Sequence, residues 1–252
     1  MGLVTAINGA SRGAVRVKGE SGHDGAMPMA MRRDALAATA EMLLAIERRA
    51  AAEPHLVATV ECLKVSNADV NTIPREVSFM IDVRAPSDSS LRDALADIVA
   101  EIARIAEARG VEAYAAFGYD APAAVCDAGL VEGLAAAVAR RGYTTLRLSS
   151  GSGHDATSFR GRIPFAMLFV RCRGGVSHNP AEYASAEDLR RVSRARTVRE
   201  QDRPCALDWR ARPDSVEDPS VRRRLQEQRL RLKFPLDQLC PGGVSGTELR
   251  LA

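Results

Sequence analysis

Apolar and polar residues alternate with a period of two in several short stretches of the chain. Residues 14–20 alternate valine with arginine and lysine, and residues 77–84 alternate large apolar side chains with mostly polar ones. This is the pattern of β-strands that bury one face. Residues 56–65 are also rich in β-forming residues, and the pattern predicts a further strand over residues 111–119.

Two longer stretches carry apolar residues at helical spacing. The first runs from residue 32 to about 49, and its predicted buried side is formed by Leu36, Ala40, Leu43 and Leu44. The second contains Leu91, Leu95, Ile98, Ile102 and Ile105. It is predicted to end at Gly110, because glycine can take the left-handed conformation that closes a helix. The order strand, helix, strand, strand, helix, strand predicts a ferredoxin-like βαββαβ domain over residues 11–119.

The pattern changes after residue 119. A helix is predicted over residues 127–141 and an apolar strand over residues 165–170. A strand buried on both faces needs neighbouring strands and covering helices, so residues 120–192 are predicted to be part of a larger α/β domain. Residues 193–252 are rich in arginine and proline and lack sustained periodicity, which predicts a poorly ordered tail.

Composition limits the kind of protein this is. The chain has 252 residues, 46% of them hydrophobic, with a formal net charge of +3, which indicates a soluble globular protein and does not favour nucleic-acid binding. It has no apolar run of membrane-spanning length and no signal-peptide pattern, so we expect no membrane partner and a cytoplasmic location. Its five cysteines form no C-x-x-C pair, which indicates reduced thiols.

The four histidines are the first candidates for chemistry. His23, His154 and His178 lie in glycine-rich loops, where imidazole can act as a ligand or a proton donor. The loop with His178 directly follows a predicted strand, the position at which α/β sheets bind ligands. His55 follows a proline between a helix and a strand and is predicted to be an ordinary surface residue. An ordinary turn residue remains the alternative for each of the other three.

Four motifs occur in order along the chain: SGHDGAMPMAMRRDALAATAEM from Ser21, NADVNTIPREVSFMIDVR ending at Arg84, SGSGHDA at residues 150–156, and GGVSHNPAEY at residues 174–183. Together they resemble the M20-type metal-dependent amidohydrolases, in the branch that contains N-carbamoyl-L-amino-acid hydrolases and allantoate amidohydrolases. The resemblance covers residues 3 to about 190 and corresponds to the C-terminal portion of such an enzyme. It implies a hydrolase that acts on carbon–nitrogen bonds other than peptide bonds.

The resemblance also implies a cofactor, a partner and roles for individual residues. Family members hold two divalent ions, zinc or manganese, and dimerise through the ferredoxin-like lid domain, so a homodimer and a small carbamoyl or ureido acid substrate are expected. His178 matches the last metal ligand, and His23 matches the residue that stabilises the oxyanion. The resemblance assigns substrate binding to Asn71, Arg84, Gly153 and His154. It implies that Asn71 orients the substrate and that Arg84 holds its carboxylate.

The sequence departs from the family pattern in two places. Where the family has Ala-Gly-Thr-Thr after the lid histidine, this chain has Asp24-Gly25-Ala26-Met27, which removes two hydroxyls and adds a carboxylate. The other metal ligands and the general base belong to a region before the lid domain, and residues 1–10 match the strand that enters the lid. One imidazole cannot hold two metal ions, so we expect this chain alone to have an incomplete metal site and to be inactive.

Three other functions remain open from the sequence. The chain could be a non-catalytic dimerisation module, in which residues 11–119 fold and pair. It could instead descend from an aminoacylase or dipeptidase, because the whole M20 group shares this architecture. The arginine-rich tail could contact nucleic acid, although its interspersed acidic residues argue against that function.

Overall fold

A computed structural model describes residues 1–66 and 69–195. Most of the predicted tail, from residue 196 onward, therefore lies outside the described residues. The strands are β1 (Gly2–Ile7), β2 (Gly9–Lys18), β3 (Val57–Ser66), β4 (Glu76–Ala85), β5 (Glu112–Ala121), β6 (Ala124–Val125), β7 (Leu146–Ser150) and β8 (Met167–Phe169). The helices are α1 (Ala35–Ala51), α2 (Asp88–Arg109), α3 (Ala128–Ala139) and α4 (Ala186–Ala195).

The described residues form two compact units. The first unit comprises residues 1–9, 84–90 and 121–195, and the second comprises residues 10–83 and 91–120. The sheet of the second unit has the strand order β3-β4-β2-β5. With α1 after β2 and α2 after β4, this is the strand order of a ferredoxin-like βαββαβ fold. The predicted fold class is confirmed.

The core of the second unit follows the alternation in the sequence. Its buried strand residues are Val15, Val17, Val77, Phe79, Ile81 and Val83. Its α2 contributes Leu91, Ala94, Ile98, Ile102, Ile105 and Ala106. Burying each large apolar side chain stabilises the fold by about 1.5–3 kcal/mol, so these side chains account for much of the stability of the unit. The predicted apolar faces of β2, β4 and α2 are buried, except that Leu95 of α2 is only partly buried. The prediction of one buried face is wrong for β4, which also buries Ser78 and Asp82 of its other face.

The buried face of α1 differs from the prediction. The residues that α1 buries are Ala35, Ala38, Thr39, Met42, Ala45 and Ile46. Leu36 and Leu44, which were expected in the core, are 37% and 54% exposed. The helix has apolar residues on more than one side, and the buried side carries large as well as small residues, since Met42 is fully buried and Ile46 is 2% exposed. Apolar spacing alone therefore did not identify which side of α1 is buried.

The first unit is built around β1. One edge of β1 pairs in parallel with β7, and the other edge pairs antiparallel with β8 at residues 2–4 and with β6 at residues 6–7. Leu3, Val4 and Ile7 are fully buried. The strand predicted over residues 165–170 is shorter, as β8, and it is only partly buried. Among the described strands of this unit, β1 rather than β8 has the fully buried apolar side chains.

Two helices complete the first unit. The helix predicted over residues 127–141 is present as α3, and its Val131 and Leu134 pack in one cluster with Leu3, Val4 and Cys126 of the sheet side. The short α4 was not predicted, although its apolar residues Ala186, Leu189 and Val192 recur at helical spacing between five charged residues. No helix in residues 1–66 or 69–195 is both long enough and apolar enough to cross a membrane.

Candidate functional site

His23 lies in an exposed turn of the second unit. The turn forms because the backbone N–H groups of Ala26 and Met27 both donate to the carbonyl of His23, at 3.2 and 3.0 Å. The imidazole Nδ1 accepts a hydrogen bond from the N–H of Gly25 at 3.1 Å. A nitrogen that accepts carries no proton, so this contact assigns the proton of the neutral imidazole to Nε2. The ring therefore offers one N–H donor from its far side.

Asp24 competes for the same imidazole nitrogen. Its Oδ1 is 3.4 Å from His23 Nδ1, and that contact becomes an ion pair only when the imidazole is protonated. The 3.1 Å hydrogen bond from Gly25 requires the neutral ring. Of the two contacts to Nδ1, the hydrogen bond from Gly25 is the shorter. The carboxylate that distinguishes this chain from the family pattern thus lies beside the proposed oxyanion donor.

Asn71 lies beside the His23 turn. Its carbonyl accepts the N–H of Asp24 at 3.2 Å, and the next residue, Thr72, forms an isolated antiparallel bridge with His23. Asn71 has φ of 63°, in the left-handed region that asparagine tolerates better than most residues. The second unit therefore brings together two of the residues that were predicted for the site, His23 and Asn71.

Arg84 is the second-last residue of β4 and belongs to the first unit. Its Nη1 donates to the carbonyl oxygen of Gly151 at 2.8 Å. Gly151 begins the loop that contains Gly153 and His154, so Arg84 is attached to the predicted pocket loop. A Cβ built on Gly151 or Gly153 would meet no atom within 4 Å, which means that open space surrounds this loop. Arg84 thus contacts the first residue of the loop that contains two other residues predicted to bind substrate, Gly153 and His154.

His154 has a local arrangement similar to that of His23. It precedes a short 3-10 helix, residues 155–159, and its Nδ1 accepts the N–H of Ala156 at 3.0 Å. This capping contact again leaves the proton of the neutral ring on Nε2. Ala156 is buried, whereas residues 151–155 are exposed. The buried alanine and the cap fix one end of an otherwise exposed loop.

His178 lies in a strained turn of the first unit. Its φ is 53°, and its backbone N–H donates to Glu182 Oε2 at 3.0 Å. The turn is closed further by the N–H of Glu182, which donates to Asn179 O at 2.9 Å. Left-handed backbone at a residue other than glycine costs free energy and persists where surrounding contacts hold it. The side chain of His178 is exposed.

The described residues do not fit a metal site by themselves. In residues 1–66 and 69–195, no three His, Cys, Asp or Glu side chains are grouped so that they could bind one ion. Two divalent ions need several nitrogen and carboxylate ligands, and the predicted ligand His178 would supply one imidazole. The described residues therefore do not make up a two-metal site.

Arg32 contacts the His23 turn, and it was not singled out from the sequence. Its Nε donates to the carbonyl of Met27 at 3.1 Å, and its Nη2 makes a short contact with the carbonyl of Asp24. The guanidinium thereby holds the turn that follows His23. The only signal in the sequence was the position of Arg32 in the MAMRRDALAA stretch, where it looked like an ordinary residue at the start of a helix.

Comparisons with known proteins place this geometry in a family. Residues 5–110 match the family described as "Peptidase dimerisation domain", of the M20 type. Allantoate deiminase 1 of Glycine max is 31% identical over 220 residues, which cover 75% of this chain and 45% of the relative. The N-carbamoyl-L-amino acid amidohydrolase of Geobacillus stearothermophilus is 33% identical over 189 residues, covering 75% of this chain and 46% of that protein.

Solved structures agree with these relatives. The crystal structure of an amidase of the hydantoinase/carbamoylase family from Burkholderia multivorans superposes with a TM-score of 0.72 at 31% identity, over 76% of this chain and 47% of that one. The chain thus spans about half the length of the curated relatives it matches. Across three quarters of its length it belongs to the M20-type amidohydrolases of the hydantoinase and carbamoylase group, and it corresponds to their C-terminal portion.

Proposed function

We propose that this chain is a portion of a metal-dependent amidohydrolase that hydrolyses the non-peptide C–N bond of N-carbamoyl amino acids or allantoate-like ureido acids. The observation that supports this function most directly is the hydrogen bond from Arg84 to Gly151, at 2.8 Å. It keeps a permanently charged, planar guanidinium beside a glycine-rich loop surrounded by open space. Such a fork is suited to a carboxylate, the group that all these substrates share.

The proposed roles of the two histidines follow from their hydrogen bonds. In each ring a backbone N–H occupies Nδ1, so each ring presents an Nε2–H donor. A fixed N–H donor can stabilise an oxygen that gains negative charge when a ureido carbon is attacked. We assign this role to His23, assign substrate contact to His154 and Gly153, and assign orientation of the substrate to Asn71.

We also propose that the chain alone does not turn over its substrate. His178 is the proposed metal ligand, and the metal, zinc or manganese, would activate the attacking water in the complete site. The ligands that complete that site are not among the described residues. The chain would therefore bind the carboxylate end of a substrate without supplying the nucleophile.

Metal content tests the incomplete site. The full chain is purified with manganese or zinc, loosely bound ions are removed, and the metal per chain is measured by elemental analysis. We expect much less than one ion per chain. A value near two, the number in a typical two-metal hydrolase site, would contradict the proposed incompleteness, as would turnover of N-carbamoyl-L-alanine by this chain alone.

Ligand binding tests the substrate class. We expect the full chain to bind N-carbamoyl-L-alanine with higher affinity than N-acetyl-L-alanine or alanylglycine, as measured by calorimetric titration. Arg84→Lys should weaken binding at least about tenfold, because a charge-assisted hydrogen bond contributes roughly 1.5 kcal/mol or more. Arg147→Lys is the matched control, since Arg147 pairs with Glu132 on the surface. Tighter binding of the acetyl or peptide ligand would favour the aminoacylase or dipeptidase alternative.

A second candidate function is a non-catalytic dimerisation module. The match of residues 5–110 to a peptidase dimerisation domain favours it, and so do two exposed surfaces of the second unit. Leu36 and Leu44 are exposed on α1, and Val57 and Leu63 are exposed on β3, which is an edge strand. An edge strand with exposed apolar residues is suited to pairing with another strand. We propose that a second copy of this chain covers these surfaces in a homodimer.

A further inference from the structure

The loop that carries Gly153 and His154 has little packing to hold it. Residues 151–155 are all exposed, and Ala156 is the first buried residue after the end of β7. Added methyl groups at Gly151 and Gly153 would meet nothing within 4 Å. Because apolar contacts are few, polar tethers must determine where this loop lies.

Two tethers reach this loop from one short segment, residues 84–90. Arg84 donates to the carbonyl of Gly151, the first residue of the loop, at 2.8 Å. Asp88 accepts from Nη2 of Arg160, which follows the loop, at 2.6 Å. All of these residues belong to the first unit. The two contacts lie at the two ends of the loop. Because Arg84 and Asp88 are only four residues apart, they limit where the two ends of the loop can lie.

Asp88 is itself held from a third direction. Its Oδ1 accepts the backbone N–H of Ala123 at 2.7 Å, while Oδ2 receives Arg160. Asp88 is also the first residue of α2, where the positive end of the helix dipole favours a carboxylate. Asp88 is thus held in place by a backbone hydrogen bond and by the start of α2. Its contact with Arg160 can therefore fix the position of Arg160 and of the loop before it.

We propose that Asp88 and Arg160 are positioning residues, which hold the loop of residues 151–155 at a fixed place relative to Arg84. The inference deepens the proposed function, on which its relevance to substrate rests. Arg160 and Asp88 are 47% and 34% exposed at their side chains, so their ion pair stabilises the whole fold little. The ion pair is expected to affect the local position of the loop. A positioning role therefore predicts a change in the loop without a change in the stability of the whole chain.

Hydrogen exchange of the loop amides tests this proposal independently of any substrate. In the full chain, Arg160→Gln should speed exchange at residues 152–156 about threefold, the size of effect that loss of one exposed ion pair produces. The melting temperature should not change measurably. Arg160→Lys should restore most of the protection, and Arg147→Gln, which breaks the similar surface pair with Glu132, should leave the loop unchanged.

The partner residue gives a second, linked measurement. Asp88→Asn keeps an acceptor for Ala123 N–H and removes the charge that Arg160 contacts. If the two residues act through one another, Asp88→Asn combined with Arg160→Gln should expose the loop no more than Arg160→Gln alone. Unchanged exchange in Arg160→Gln would overturn the proposal, and so would simple addition of the two effects.

Binding of N-carbamoyl-L-alanine then separates the two proposals. Weaker binding in both Arg84→Lys and Arg160→Gln, with wild-type binding in Arg147→Gln, supports the positioning role in substrate recognition. Faster loop exchange in Arg160→Gln with binding that does not depend on Arg84 would contradict the proposed function and would still support the positioning of the loop. Unchanged loop exchange together with Arg84-dependent binding would overturn only the positioning role.

Discussion

Gly19 is a residue at which no side chain can be added without moving the backbone. A Cβ at this position would lie 1.9 Å from the carbonyl oxygen of Arg33, which is itself main chain. We expect Gly19→Ala to lower the free energy of unfolding by about 2 kcal/mol or more, because overpacking forces backbone shifts. Urea denaturation of the full chain measures this change.

Gly153→Ala is the matched control for that substitution. Open space surrounds Gly153, so a methyl group fits and the urea midpoint should match that of the wild type. A similar midpoint for Gly19→Ala would show that the chain around Arg33 can move aside without cost. A lower midpoint for Gly153→Ala would contradict the open space around this glycine.

Cys126 should react slowly with alkylating agents. Burial raises the pKa of its thiol, although a hydrogen bond from the backbone at Met167 partly offsets this effect. Only the thiolate is nucleophilic, so a raised pKa leaves less reactive Cys126 at any pH below it. Among the three cysteines that the structure describes, we expect iodoacetamide at pH 8 to modify exposed Cys62 first, Cys172 next and Cys126 last, as measured by peptide mass mapping. Equal rates at the two cysteines would contradict this expectation.

Site residues were predictable from the sequence to different degrees. Motif resemblance pointed to His23, Asn71, Arg84, His154 and His178. It did not reveal that Asn71 and His178 have left-handed backbone, because that conformation depends on contacts such as the one from His178 N–H to Glu182. The tether from Asp88 to Arg160 was not predictable either, since it joins residues that are far apart in the chain.

The start of α1 depends on one side chain. Asp34 Oδ1 accepts the backbone N–H groups of Leu36 and Ala37, at 2.9 and 3.0 Å. These two N–H groups have no partner within the helix, so the carboxylate replaces water that they would otherwise need. We expect Asp34→Ala to lower the free energy of unfolding by about 1 kcal/mol in thermal or urea denaturation.

Asp34→Asn is the matched control, because asparagine also caps helices well. It should retain most of the stability that Asp34→Ala loses. If the two variants are equally destabilised, the charge of Asp34 near the helix N-terminus is responsible rather than the hydrogen bonds.

Elements with strong apolar patterns were predicted well, and elements with ambiguous patterns were not. The strand β4 and the helix α2 each have a single apolar face, and both bury that face. In α1 apolar residues occur on more than one side, and the buried side contains Met42 and Ile46 rather than Leu36 and Leu44. Neither α4 nor β7 was predicted: β7 has only five residues, and half of the ten residues of α4 are charged.

At the scale of the whole molecule, the exposed apolar residues of α1 and β3 predict a homodimer, and this prediction can be tested. Leu44 is 54% exposed on α1, on the surface that we propose is covered by a second copy of the chain. Leu44→Glu should shift the chain from dimer to monomer at micromolar concentration, because a charge in an apolar interface loses solvation without gaining a partner. Size-exclusion chromatography with light scattering measures the mass directly.

Val99→Glu is the control for that experiment. Val99 is exposed to a similar degree but lies on α2, outside the proposed surface. It should leave the dimer intact. A wild-type chain that is monomeric at high concentration would exclude the proposed homodimer, and equal dissociation by both variants would place the interface elsewhere on the helices.

The arrangement of β1 has a consequence for synthesis on the ribosome. Its parallel partner β7 begins at residue 146, about 140 residues after β1 itself, whereas every strand of the second sheet has emerged by residue 121. The ferredoxin-like unit can therefore fold before β7 and β8 have been synthesised, at a time when the apolar strand β1 does not yet have these two partners. Such a strand is exposed to wrong pairing during that interval, so slow translation between residues 121 and 169 would favour aggregation or chaperone binding of the nascent chain.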